Sequence, residues 1–125
     1  MSRAEPAKGK LARVEKTLRT SALRYPGAFE AHPWGENVVK VNKKVFLFMG
    51  FYQGRLGLST KLPQSHESAL MLGFAKPTGY GLGKSGWVSA SFGPKDSVPI
   101  PLLLEWIDES YRAIAPKKLV AKLEG

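Results

Sequence analysis

Hydrophobic positions recur along the chain with two different periods, and the change from one to the other divides it into elements. Leu11, Val14, Leu18 and Ala22 fall three to four residues apart, the spacing of one helix face, and Tyr25 extends the stripe before Pro26-Gly27 ends it. This predicts a helix from Ala7 to Arg24. Lys8, Lys10, Arg13, Lys16, Arg19 and Arg24 occupy the rest of its circumference, either as a solvated face or as a contact for a polyanion. Beyond Gly27 the runs become short and β-rich: Phe29–Trp34, Val38–Val41, Val45–Phe51 and Arg55–Thr60, separated by Gly, Asn and Pro. The sharpest alternation puts Leu56 and Leu58 on one face and Arg55, Ser59 and Lys61 on the other, as in an antiparallel strand with one wet side. Val38 to Phe48 reads as a hairpin with the charged tip Asn42-Lys43-Lys44, and Asn tolerates the left-handed backbone of a tight turn. The pattern leaves open whether Lys40 and Lys44 share a face.

Pro63 and Ser65 open a second predicted helix, with Ser65 as its N-cap and Gly73 as its stop after Leu72. A glycine-rich loop, Gly79 to Gly86, leads into a strand over Trp87–Phe92. Pro99 and Pro101 begin a helix that runs to Ala115, with Ile100, Leu103, Leu104, Ile107, Tyr111 and Ile114 as its apolar stripe and Pro116 as its end. The ends, 1–6 and 117–125, are expected to be loosely held, the latter adding at most a frayed turn. The order α-β-β-β-β-α-β(β)-α predicts an α+β fold of two layers, an antiparallel sheet with helices packed on one face.

At 125 residues the chain suits a single domain, large enough to bury roughly two-thirds of its unfolded surface. It has no cysteine, which excludes disulfides, thiolate zinc sites and cysteine nucleophiles. The opening MSRAEPAKGK is too charged for the apolar core of a signal peptide, and the longest apolar run, Val45 to Tyr52, is too short to span a bilayer. A soluble, cytoplasmic protein is expected, with no membrane partner and a monomer favoured.

Charge changes the picture most. Nineteen Lys and Arg against ten Asp and Glu give a net +9, a balance that favours polyanions such as nucleic acid. Eight of these nine net charges lie in residues 1–62, so the field has a direction.

The chemistry-bearing motifs are weaker than they look. Gly83-Lys84-Ser85 ends like a phosphate-binding P-loop, but the glycine required five positions earlier is Thr78. Gly81, Gly83 and Gly86 match a dinucleotide fingerprint, yet such a loop must lead into a helix, and Trp87–Phe92 reads as a strand. His32 and His66 stand in separate elements without clustered carboxylates, so no metal site is expected. Glu105, Asp108 and Glu109 are expected on the outer face of the last helix as solvated acids. No catalytic constellation or cofactor site emerges, and a non-enzymatic protein is expected. Trp106 and Trp87 are assigned mainly to packing, while Trp34 either caps the sheet or lines a groove together with Trp87.

Tyr25-Pro26-Gly27, Pro33-Trp34-Gly35 and Val39-Lys40-Val41, followed by Lys43-Lys44 and Phe46, resemble the MmcQ/YjbR family of small bacterial proteins. The similarity continues through Leu58-Ser59-Thr60-Lys61, Gly83-Lys84-x-x-Trp87 and Ile107-Asp108-x-Ser110-Tyr111, covering residues 10–115. The resemblance implies a CyaY-like, secretion-chaperone-like fold and a non-catalytic DNA-binding role. Its proposed contact surface is a double wing of projecting β or loop elements.

Charge and resemblance together predict phosphate contacts by Lys40, Lys43 and Lys44 of the hairpin, Arg55 and Lys61 of the wet strand face, and Lys84 of the glycine loop. Such contacts bind DNA with weak sequence preference. The alternative is a protein- or small-ligand-binding module whose groove lies near Trp34 and Trp87 and whose basicity serves only solubility.

Overall fold

The computed structural model describes residues 4–32 and 37–123. Helix α1 spans Ala4–Leu23 and begins before the apolar stripe does. Its first turn contains Pro6, a position where the missing N–H costs nothing. Six strands follow: β1 (Ala28–Ala31), β2 (Asn37–Val41), β3 (Lys44–Tyr52), β4 (Arg55–Lys61), β5 (Ala75–Pro77) and β6 (Trp87–Phe92). They form one sheet in the order β1-β2-β3-β4-β6-β5, with every neighbouring pair antiparallel. The strand expected over Phe29–Trp34 ends at Ala31, and residues 33–36 lie outside the described residues.

Two tight turns fix the central register. Asn42-Lys43 closes β2 on β3, with Asn42 in the left-handed region at φ 62° as its residue type allows. Gln53-Gly54 closes β3 on β4 with positive φ at both positions (53° and 77°), the requirement of a type I′ turn whose twist matches its strands.

Three further helices complete the chain: α2 (His66–Ala69), α3 (Ile100–Ile114) and α4 (Lys117–Ala121). α2 is shorter than its pattern suggests. The chain tightens after Ala69 into turns in which Met71 and Leu72 bond the carbonyls of Ser68 and Ala69. Ser65 stands at the N-cap position but makes no capping bond; its hydroxyl donates instead to Glu109 on α3 at 2.6 Å. The tail expected to fray carries α4, whose Leu119 and Val120 pack on the core.

The core lies between one sheet face and the helices. Leu11, Leu18 and Ala22 of α1 and Leu103, Trp106, Ile107 and Tyr111 of α3 meet Leu47, Met49, Leu56, Leu58, Val88, Ala90 and Phe92 of the sheet. Each fully buried large side chain among them contributes roughly 1.5–3 kcal/mol. Alternation therefore works as expected on β4 and β6, where every second residue is buried.

Candidate nucleic-acid interface

The opposite sheet face carries no described α-helix. Cross-strand partners project to the same side of a sheet, so the register assigns its residues. Phe29 stands beside Lys40 across β1 and β2, Tyr52 beside Arg55 across β3 and β4, and Lys61 beside Trp87 across β4 and β6. Each is an aromatic paired with a cation, and all three pairs are on the open face. Lys76 of β5 joins them opposite Ser89.

Between these pairs the surface is nearly bare. Gly50 faces Gly57, Gly57 faces Ser91, and Ser59 faces Ser89. The result is an open trough of about 400 Å³ walled by Phe48 and Tyr52 and floored by glycine backbone and serine hydroxyls. The hydroxyls bond one another, Ser59 to Ser89 at 2.6 Å and Thr78 to Ser89 at 2.9 Å. The sequences of β2 through β6 contain no Asp or Glu. Glu30 of β1 pairs with Val39, so it turns to the helix side, where Arg19 of α1 donates to it at 3.2 Å.

The six cations predicted to bind phosphate divide in two. Lys40 and Lys61 lie on the open face at the end of the sheet that carries the Asn42-Lys43 turn, and Lys43 and Lys44 are at that turn. Lys84 joins that end, because it sits in a single 3-10 turn, Leu82–Ser85, that leads directly into Trp87. Among the described residues none of these five lysines has a side-chain hydrogen bond or ion pair. Lys40 and Lys44 do not share a face: Lys40 pairs with Val45 and Lys44 with the buried Val41. Lys44 therefore projects towards the helix side of the hairpin tip.

Arg55 is separate. It begins β4, six residues and roughly 20 Å from Lys61. Its Nε donates to Ser91 Oγ at 2.8 Å, and its guanidinium stands 3.8 Å from Asp96, whose carboxylate also accepts the N–H of Gly93. A cation so engaged clamps the 93–97 loop more than it extends a positive stripe.

Of the aromatics predicted to form a groove, Trp34 lies outside the described residues. Trp87 is only 7% exposed and packs edge-on against Phe48, with ring centroids 5.5 Å apart. Trp106 is a core residue. The glycine loop has a packing role: a side chain at Gly83 would come within 2.8 Å of Pro77 Cβ, so glycine lets the 3-10 turn lie against β5. His66 Nδ1 bonds the Leu62 carbonyl, and the described residues contain no group of three potential metal ligands. No described helix is long and apolar enough to cross a membrane.

Sequence reasoning missed Phe29, Phe48, Tyr52 and Lys76, together with the hydroxyl floor. The alternation Trp87, Ser89, Ser91 could have given the β6 contribution. Cross-strand neighbours such as Lys61 and Trp87 are set by pairing between strands distant in sequence, which no local pattern carries.

An α+β protein with an open six-stranded antiparallel sheet, helices on one face and a basic aromatic trough on the other is thereby defined. The YjbR family model matches residues 23–113, and the chain belongs to that family. A crystal structure of the Deinococcus radiodurans protein DR2400, family-model domain DUF419, is similar at a TM-score of 0.65 and 27% identity, covering 79% of this chain and 76% of that one. None of the curated proteins matches.

Proposed function

We propose that this protein is a non-catalytic DNA-binding module that grips phosphates through the hairpin end of its sheet. The observation that supports this is the gathering of Lys40, Lys43, Lys44, Lys61 and Lys84 at one end, without ion-pair partners among the described residues and beside strands that bring no carboxylate to the open face. Phosphate neutralised by lysine releases condensed counterions, so binding is salt-dependent and carries little base identity. With about four phosphates contacted, log K for duplex DNA falls against log salt with a slope near −3.6.

The test is the double variant Lys43→Glu/Lys44→Glu. Both residues are exposed and hold nothing in place. Fluorescence polarisation is expected to show about a tenfold or greater loss of affinity for DNA at low salt, with the thermal midpoint unchanged. Parental affinity in the double variant would overturn the assignment to the hairpin end.

A further inference from the structure

We infer that the DNA this protein takes is single-stranded, with its bases laid in the trough on the open sheet face. The inference rests on the DNA-binding reading above and names the form of the nucleic acid. Three observations carry it.

First, the aromatics and cations of this face are interleaved. The pairs Phe29 with Lys40, Tyr52 with Arg55 and Trp87 with Lys61 share the face on which the trough lies, and Tyr52 stands in its wall. Single strands are held by this combination, cations along the backbone and rings on which unpaired bases stack. A duplex keeps its bases stacked inside and offers these rings nothing. Tyr52 is 77% exposed and Phe29 45% exposed, so both rings present apolar surface to solvent.

Second, the floor is bare without a reason in the fold. Gly50 and Gly57 face each other in the two central strands, where glycine is destabilising. Neither has a left-handed φ. A side chain at Gly50 would meet nothing within 4 Å, and one at Gly57 only an ordinary contact at 3.7 Å. Backbone geometry and packing thus leave both glycines unexplained, whereas the close approach of a flat ligand to the strands explains them.

Third, charge selects the occupant. Strands β2, β4 and β5 bring Lys40, Lys61 and Lys76 and no acid to this face, beside an Arg55 already held by Ser91 and Asp96. An anionic chain is favoured over a neutral peptide, and the serine hydroxyls at the floor can donate to or accept from base edges.

The test uses the full chain with two probes of equal length, single-stranded oligothymidylate of about 16 nucleotides and a mixed-sequence duplex. It compares the parent, Gly50→Leu and Tyr52→Ala. The single strand is expected to bind the parent more tightly than the duplex. Both variants are expected to lose about tenfold or more for the single strand, the size of one lost stacking contact, while duplex affinity stays within about twofold. Thermal midpoints verify that each variant is folded, and Tyr52→Ala carries the test should Gly50→Leu not fold. Folded variants that keep parental single-strand affinity would overturn the inference and leave the phosphate grip standing. Failure of the parent to bind either probe at low salt would overturn the DNA-binding reading itself.

Discussion

The hydroxyl of Ser110 donates to the carbonyl of Phe46 at 2.6 Å, tying the middle of α3 to a break in the sheet. The β2–β3 register steps from Val39 opposite Leu47 to Lys40 opposite Val45, so Phe46 is the extra residue of a β-bulge. The bulge turns both Phe46 and Leu47 into the core, where each is fully buried. It also interrupts the ladder, since β3 pairs with β4 only as far as Phe48 opposite Ser59. The same Ser110 oxygen accepts the N–H of Lys61 at 2.9 Å. One side chain thus satisfies two backbone groups that the bulge leaves open. Ser110→Ala strips both of their partner, and each buried group so stranded costs about 1–3 kcal/mol. Urea unfolding is expected to show a lower midpoint with an unchanged m-value. A loss below about 0.5 kcal/mol would show that the backbone finds another partner.

A second link joins the two motifs that flank the fold. Tyr25 stacks on Tyr111 with ring centroids 4.6 Å apart; its hydroxyl donates to Asp108 at 2.8 Å, and that of Tyr111 donates to the Pro26 carbonyl at 2.6 Å. Burial, then the bond to Asp108, raises the ionisation of Tyr25 above its ordinary value, and burial alone raises that of Tyr111. Both phenols ionise near pH 10 in the unfolded chain and only at higher pH in the folded one. Their contribution to stability is therefore complete below about pH 10 and is lost as pH rises from there towards the folded-state values. The thermal midpoint should stay level from about pH 7 to 9 and fall above about 10. Tyr25→Phe should be less stable than the parent at neutral pH, by about 1 kcal/mol for the lost hydrogen bond, and should fall less steeply in alkali. An identical alkaline slope in the parent and in Tyr25→Phe would remove Tyr25 from the account.

These links explain why fold was more legible than function. Stripes such as Leu103, Ile107 and Tyr111 report burial directly, because a helix or strand must turn its apolar positions inward. Asp108, Ser110 and Tyr111 carry much of the family resemblance, and each is engaged in holding α3 to the rest of the molecule. The acids of α3 illustrate what periodicity cannot reveal. Glu105 is exposed as expected, but Asp108 and Glu109 are half-buried and bonded. Glu109 accepts the N–H groups of Gln64 and Ser65 at 2.8 and 3.0 Å, anchoring the loop that enters α2. The open face was hidden for the same reason. The expected wet side of β4 was correct, yet its partners on β3 and β6 follow from register, and register depends on turns and bulges rather than on local pattern.

Thr60 offers a test of the boundary between the two faces. It lies opposite Val88 on the helix side of β4, fully buried, and its hydroxyl has no partner among the described residues. A buried, unsatisfied hydroxyl opposes folding, whereas valine has the same branched shape without the polar atom. Thr60→Val is therefore expected to be neutral or to stabilise by up to about 1 kcal/mol, whereas Thr60→Ser, which keeps the hydroxyl and loses a methyl group, destabilises by about 1 kcal/mol. Because its strand neighbours Ser59 and Lys61 point the other way, neither substitution should alter DNA affinity measured by fluorescence polarisation. Chemical denaturation of the two variants decides the matter. If Thr60→Val lost more than about 1 kcal/mol, the hydroxyl would have to be satisfied in solution, by an ordered water bridging it to the backbone of β4.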